Sequence, residues 1–248
     1  MPSMPDAILL CGGAGLRLRD ITASGPKSMA TVAGRPFLEL LLKQLRRNGF
    51  ERTILAVGYQ KDVIRSYFGE QAYGLQLAYS AESSPLGTGG ALRNAADMVQ
   101  SNPVVVMNGD SYTDANLIRF VADHDESRAD ASMVVAPVDG RNDCGSVLLD
   151  QSGRLVRFEE KQDSLGMKYL NAGIYLVSRR LLFDIPQSVQ VSLERELLPR
   201  WLKEGNHIKG FVHLGPCIDI GTPDRYRGAQ DILANAEKEN MPRNETYL

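Results

Sequence analysis

A doubly wound α/β fold follows from three observations in the 248-residue chain. Short apolar runs alternate with amphipathic stretches through the first half, the order that produces a parallel sheet covered on both faces. The first apolar run ends in a glycine-rich loop, and glycine or aspartate clusters follow later runs, where open α/β sheets gather ligands. The second half pairs short strands around a turn, which makes the sheet mixed and adds a small β-rich part.

Taken in order, Ala7 to Cys11 reads as a buried strand. Pro36 to Asn48 sets Phe37, Leu41 and Leu45 on one helical face with Leu38 and Leu42 beside them, and Gly49 stops the helix. Thr53 to Val57 is the second clear strand, and Val63, Ile64, Tyr67 and Phe68 mark a second helix. A third helix is expected from about Gly89 to Val99, followed by a strand from Val104 to Met107. Ser146 to Leu149 and Leu155 to Phe158 flank Asp150-Gln151-Ser152-Gly153, the pattern of a β-hairpin with glycine in its loop. Tyr169 to Val177 is a long strand, and Ser192 caps a helix running through Leu193, Leu197, Leu198 and Leu202 to Gly205. Thr222 and Pro223 take the N-cap and first-turn positions of the last helix, whose apolar face is Tyr226, Ala229, Leu233 and Ala236. Met241 to Leu248 is expected to be a frayed tail. With no linker rich in Pro, Gly or Ser and no internal repeat, one domain over 1–248 is expected, its halves (about 1–125 and about 126–248) sharing one sheet.

Composition narrows the function. Hydrophobic residues make up 43% of the chain, enough for a sizeable core. The formal net charge is -2 and no basic stripe with interleaved aromatics occurs, so nucleic acid is not an expected partner. Cys11, Cys144 and Cys217 are far apart and lack C-x-x-C spacing, which indicates neither a disulfide framework nor a zinc site and fits a reducing cytoplasm. No run approaches membrane-spanning length and the N-terminus lacks signal-peptide features, so no membrane partner is expected.

The chemistry starts at Cys11-Gly12-Gly13-Ala14-Gly15-Leu16-Arg17, with Pro26-Lys27 following. Glycines there let backbone N–H groups approach phosphate oxygens, and Arg17 and Lys27 supply positive charge, which points to a nucleoside triphosphate. A Walker-type loop is excluded because Gly25-Pro26-Lys27-Ser28 carries proline between glycine and lysine, with Asp20 or Ile21 where the first glycine belongs. A dinucleotide fingerprint fails at Leu18, where its third glycine should stand, and at Val57-Gly58-Tyr59, which lacks the acidic residue. Asn108-Gly109-Asp110 directly follows a strand, and a carboxylate there can bind Mg²⁺ that also holds a triphosphate. Asp219, on the opposite face of its strand from Ile218 and Ile220, is a second such carboxylate. Each aspartate alone could equally be a turn former or helix cap. Gly87-Thr88-Gly89-Gly90 suggests close backbone approach to a flat nucleobase, against the alternative of close helix packing. Glu82 offers two acceptor oxygens that match adjacent donors on a guanine edge. In the second half, Glu160-Lys161, Asn171 and Asp143-Cys144-Gly145 suit sugar hydroxyls, with Lys161 suited to a sugar phosphate; a Glu-Lys pair is otherwise a solvated surface pair.

Read in order, these segments resemble the sugar-1-phosphate nucleotidyltransferase family over nearly the whole chain. Gly12 to Leu18 with Pro26-Lys27 looks like its signature loop, Asn108-Gly109-Asp110 its metal aspartate and Asp219-Ile220-Gly221-Thr222 its second metal site. Tyr79 to Glu82 running into Pro85 to Ala91, Tyr169 to Tyr175 and Ser192-Leu193-Glu194 look most like the D-glycero-α-D-manno-heptose 1-phosphate guanylyltransferases. The resemblance implies a Rossmann-like mixed sheet of the nucleotide-diphospho-sugar transferase type with a β-rich sugar-binding part. It implies Mg²⁺ as cofactor, held by Asp110 and Asp219, and catalytic roles for Arg17, Lys27, Asp110, Lys161 and Asp219. Nucleotide contacts would come from Leu10, Gly12, Gly13, Gly15, Glu82, Pro85, Gly87 and Thr88, and sugar contacts from Asn108, Gly145, Glu160, Lys161 and Asn171. Two positions depart from the family pattern: Leu16 replaces a Thr or Ser, and Cys144 stands where many relatives carry Tyr.

The expected reaction joins a nucleoside triphosphate, GTP foremost, to a sugar 1-phosphate, heptose 1-phosphate foremost, releasing pyrophosphate. Relatives that use UTP can also carry Glu at the position of Glu82, so UTP, dTTP and ATP stay open. The partners are these small molecules, with a homo-oligomer left open. A non-catalytic nucleotide-sugar sensor would release no pyrophosphate, and a glycosyltransferase of related architecture would release nucleoside diphosphate.

Overall fold

The computed structural model describes residues 3–13, 15, 25–138, 145–160 and 168–239, with side-chain surroundings given as far as 233. Four parallel strands form the centre: β1 (Ala7–Leu10), β4 (Arg52–Val57), β6 (Leu75–Ala81) and β7 (Val104–Asn108). Short pieces fill the connections, namely β2 (Thr31–Val32), β3 (Arg35–Pro36), β5 (Gln71–Ala72) and β8 (Ser111–Thr113). The second half adds β9 (Ala131–Pro137), β10 (Gly145–Leu149), β11 (Leu155–Glu160), β12 (Tyr169–Val177), β13 (Ile208–Val212) and β14 (Cys217–Asp219). The main sheet runs β11-β10-β12-β7-β1-β4-β6-β5, with β9 on β12 and β13 on β9. β12 is antiparallel to β7, so the sheet is mixed as expected and strands from both halves share it.

Period-two alternation divides the core between the two faces of this sheet. Ala7, Leu9, Leu55, Val57, Val105 and Met107 pack under α1 (Phe37–Arg47), α2 (Lys61–Phe68), α4 (Leu117–Ser127) and α7 (Pro223–Glu239). Ile8, Ile54, Ala56, Val104 and Val106 face the other way, against α3 (Gly87–Ala95), α5 (Arg179–Phe183) and α6 (Leu198–Lys203), with Trp201 fully buried among them. In α1, Phe37, Leu38, Leu41, Leu42 and Leu45 are all buried, each such side chain contributing about 1.5–3 kcal/mol. Gly49 follows at φ +82°, a left-handed stop to the helix. Of the four apolar residues that mark α2, Ile64 and Phe68 are buried while Val63 and Tyr67 are exposed, because the helix lies at the rim of the core.

The hairpin forms with β10 antiparallel to β11, and Asp150 Oδ1 accepts from the Ser152 and Arg154 amides at 2.8 and 3.0 Å. Ser192 caps its helix through Arg195 N at 3.1 Å, but the first turn, Leu193–Leu197, is a π turn before α6 begins. Pro199, just after this turn, has no N–H to donate to an ordinary helical ladder. The third helix starts at Gly87, two residues before its expected position, and tightens into a 3₁₀ turn over Ala96–Met98. In α7, Thr222 Oγ1 lies 3.5 Å from Arg225 N, and Ala229 and Leu233 are buried as the periodicity requires. Ala236's side chain and the tail from Met241 lie outside what is described.

Candidate active site

A cavity of about 680 Å³ opens at the carboxyl ends of β1, β4, β6 and β7, where the parallel strands release their chain into loops. Leu10, Gly12 and Gly13 form one wall, Glu82, Pro85, Gly87 and Thr88 another, and Lys27, Asn108 and Asp110 the end. Two glycines make room for Glu82. A Cβ at Gly12 would stand 3.1 Å from Glu82 Oε1, and one at Gly58 would overlap that oxygen outright. Glu82 Oε2 accepts from Leu86 N at 3.2 Å, while burial raises its carboxyl above the ordinary range. Cys11 lies in the floor, and burial pushes its thiol up to about 12, so it stays protonated and is no nucleophile at neutral pH.

The charges gather at the end of this cavity. Lys27 opens a 3₁₀ turn, Lys27–Met29, and its backbone N–H donates to Gly13 O at 3.1 Å, which ties the two parts of the loop together. Gly15, at φ +59°, comes so close that its Cβ would stand 3.1 Å from Lys27 Cβ. The Lys27 ammonium forms an ion pair with Asp110. Gly109 lets β7 turn into that position, since a Cβ there would meet Leu10 O at 2.5 Å. Asp219 arrives from 109 residues further along the sequence because β14 pairs antiparallel with β8, in register Asp219 to Ser111, and Ile220 N donates to Asp110 O at 3.0 Å. Asp219 Oδ1 accepts from Gly221 N, and Arg225 Nη1 donates to Oδ2 at 3.0 Å. A Cβ on Gly221 would lie 2.7 Å from Asp219 Oδ1 and 3.2 Å from Lys27 Nζ, so Asp110, Lys27 and Asp219 converge on one small volume.

This donor set suits a hard divalent ion. Among the described residues no group of three or more His, Cys, Asp and Glu gathers into a full protein cage. Two carboxylates with the remaining positions left to phosphate oxygens and water is the arrangement Mg²⁺ favours. Two basic side chains already sit on these carboxylates, which is how a site shaped for positive charge balances itself.

On the β12 side, Gly173 stands at φ +74° inside a register shift between Asn171 and Tyr175. Any Cβ there would lie 2.7 Å from Ser111 Oγ and 3.0 Å from Asn108 Nδ2, so only glycine lets β12 approach the Asn108 end of the cavity. Asn171 Oδ1 accepts from Gly173 N at 3.0 Å, and Asn108 Oδ1 is buried with no partner among the described residues. Gly145 pairs opposite Glu160, whose Oε2 would lie 2.9 Å from a Cβ at Gly145. Gly15, Asp219, Gly145, Glu160 and Asn171 do not line this cavity. Arg17 and Lys161, with Leu16, Asp143 and Cys144, lie outside the described residues.

Packing alone requires the glycine run at the head of α3, while Gly87 and Thr88 also line the cavity. Cβ atoms at Gly87, Gly89 and Gly90 would meet Val191 O at 2.6 Å, Leu197 Cδ1 at 2.5 Å and Val189 O at 2.5 Å. The Gly89 and Gly90 amides both donate to Val191 O, at 2.9 and 3.2 Å. Gly→Ala inside a helix ordinarily gains about 0.5–1 kcal/mol. Gly90→Ala is expected instead to destabilise by about 1–3 kcal/mol through overpacking, read as a lower urea midpoint at unchanged slope. An unchanged or raised midpoint would mean that the Val189–Val191 segment yields and that packing does not require the glycine.

Sequence reasoning missed two neighbours of the site. Gln190 lines the cavity from a segment about 100 positions beyond the loops it faces, and nothing periodic marks it. Arg225 was detectable, since a basic residue in the first turn of a helix opposes the helix dipole and wants a carboxylate partner.

Comparison with known proteins adds the following. A family model described as nucleotidyl transferase matches residues 6–236. A mannose-1-phosphate guanylyltransferase of Mycobacterium tuberculosis is 38% identical over 231 residues, covering 92% of this chain, which spans only 64% of that protein's length. A D-glycero-alpha-D-manno-heptose 1-phosphate guanylyltransferase of Aneurinibacillus thermoaerophilus is 34% identical, over 92% of this chain and 98% of that one. The crystal structure of HddC from Yersinia pseudotuberculosis complexed with GMP-PN superposes with a TM-score of 0.80 at 29% identity, covering 93% of this chain and all of that one.

Proposed function

The chain belongs to the nucleotidyl transferase family, and on that premise we propose that it transfers GMP from GTP to a sugar 1-phosphate, heptose 1-phosphate before mannose 1-phosphate. The observation that carries this reading is the β8–β14 pairing, which brings Asp110 and Asp219 to Lys27 at the end of the nucleotide-sized cavity. A non-bridging oxygen of the sugar phosphate attacks the α-phosphorus. The bond from that phosphorus to the β-phosphate oxygen breaks, and pyrophosphate leaves with the electron pair. No enzyme group becomes bonded to phosphorus, so positioning and charge carry the rate.

Asp110 and Asp219 would hold Mg²⁺, which supplies charge neutralisation to the phosphate oxygens. Lys27, beside Asp110 at the end of the cavity, orients the triphosphate. Arg17 stabilises charge on the departing pyrophosphate and Lys161 holds the sugar phosphate, roles that rest on their sequence positions. Gly12, Gly13 and Gly15 let the loop backbone reach phosphate, while Glu82 accepts from the guanine edge. Leu10, Pro85, Gly87 and Thr88 enclose the nucleoside, and Asn108, Gly145, Glu160 and Asn171 receive the sugar. A cytoplasmic setting supplies GTP and keeps Cys11 and Cys217 out of disulfides.

A panel of GTP, ATP, UTP, CTP and dTTP against several sugar 1-phosphates, with Mg²⁺ and pyrophosphate release as readout, tests the reading. GTP with a heptose or mannose 1-phosphate should turn over fastest, and release of nucleoside diphosphate or of nothing would refute it. The base assignment carries a pH signature. Only the ionised Glu82 can accept both guanine donors, and burial raises its carboxyl, so KM for GTP should climb on acidification while ordinary carboxylates, near about 4.3, remain charged. Glu82→Gln should remove that climb and narrow the preference for GTP over UTP; identical pH profiles would move base recognition elsewhere.

A further inference from the structure

Glu194 collects three hydroxyl groups, one from the cavity wall and one from β12. Its Oε2 accepts from Thr88 Oγ1 at 2.8 Å and from Ser192 Oγ at 3.3 Å, and its Oε1 accepts from Tyr175 Oη at 3.3 Å. Thr88 belongs to the cavity wall at the head of α3, and Tyr175 to β12, four residues after Asn171. The π turn over Leu193–Leu197 carries Glu194 between them.

The direction of every bond in this network is fixed by elementary chemistry. An ionised carboxylate only accepts, whereas a hydroxyl has one hydrogen. Thr88 Oγ1 receives Leu193 N at 2.8 Å, so its hydrogen is free to go to Glu194. Tyr175 is 1% exposed and its Oη receives Asn171 Nδ2 at 2.7 Å, so its single hydrogen goes to Glu194 as well. Asn171 thus has its Nδ2 on Tyr175 and its Oδ1 on Gly173 N at 3.0 Å, which determines the amide orientation at both ends. Reversing it would set donor against donor at Gly173.

We infer that Glu194 is a positioning residue that, through Tyr175, fixes the Asn171 amide for sugar hydroxyls and, through Thr88, ties that orientation to the nucleoside wall. The inference rests on the proposed transfer and adds to it the device that sets affinity for the sugar 1-phosphate. The negative charge of Glu194 is what polarises the chain Glu194–Tyr175–Asn171–Gly173. Asn171 holds the amide of Gly173, the residue that packs against Asn108 at the end of the cavity, and this links its orientation to the region beside the triphosphate.

Tyr175→Phe and Glu194→Gln test this with GTP and the best sugar 1-phosphate from the panel. Tyr175→Phe should raise KM for the sugar 1-phosphate about tenfold, the size of one lost buried hydrogen bond, while KM for GTP and kcat change less than about threefold. In an Asn171→Ala background the added Tyr175→Phe should change that KM by less than about twofold, because its effect passes through the missing amide. Glu194→Gln, which keeps volume but presents a donor to one of the hydroxyls, should raise the sugar 1-phosphate KM as well. Equal losses for both substrates, an additive double variant, or loss of cooperative unfolding in both single variants would make the network a scaffold and overturn the inference. A wild-type protein without turnover on any sugar 1-phosphate would instead overturn the functional reading on which it stands.

Discussion

Asp110→Asn is expected to lower kcat by about 10³-fold while the protein keeps its fold. The side chain stands at the end of β7, paired with Lys27 and within reach of the volume shared with Asp219. Replacing the carboxylate by an amide keeps shape but halves the negative charge available to a divalent ion, and stabilisation of charge at phosphorus is the largest rate term in reactions of this kind. Stability responds little, because the Asp110 side chain is 38% exposed and an ion pair of that exposure contributes about 0–1 kcal/mol. Pyrophosphate release at saturating substrates, alongside a thermal melt, separates the two effects. A variant that melts normally and turns over within tenfold of wild type would remove Asp110 from the chemistry.

Lys27→Met should reduce kcat/KM for GTP by about 10² to 10³, the cost of one preorganised charge directed at phosphate. The stem of Lys27 packs against Gly15 and its backbone N–H holds Gly13 O, contacts that methionine preserves in volume and main chain. The loss therefore isolates the ammonium. If Lys27 only neutralises Asp110, the variant should instead bind the divalent ion more tightly and keep its turnover. A fall in turnover with unchanged fold supports the triphosphate role.

Much of this architecture was legible because core-facing residues repeat with the period of their element. The Phe37, Leu41, Leu45 face and the runs of β1, β4 and β7 are buried where the pattern put them, since periodicity and burial report the same contact with the sheet. Val63, Ile64, Tyr67 and Phe68 marked α2 correctly, but such spacing cannot tell a core position from a rim position: Ile64 and Phe68 are buried while Val63 and Tyr67 meet solvent. The glycine run at Gly87 to Gly90 was visible, with close packing as one of its two readings, but the segment it packs against was not. What it meets is the backbone of Val189 to Val191, a long-range contact without local sequence signal.

The site divides in the same way. Asp110 was legible from its place after an apolar strand, and Asp219 from the alternation of Ile218, Asp219 and Ile220. Their proximity depends on the two short strands β8 and β14, too brief to have a period of their own. The Glu194 network was equally hidden, since hydrogen-bond direction exists only once Thr88, Tyr175 and Asn171 share a neighbour. Gly173 illustrates the middle ground: a glycine in a strand invites a bulge, and the structure supplies the reason in Ser111 and Asn108.

The most direct measurement is anomalous scattering from Mn²⁺ in crystals grown with that ion and a non-hydrolysable GTP analogue. The proposed chemistry requires a peak coordinated by Asp110 and Asp219 together with phosphate oxygen, Lys27 having left its carboxylate for the triphosphate. A nucleotide bound in the cavity with Asp110 still on Lys27, Asp219 still on Arg225 and the ion held by other residues would contradict it.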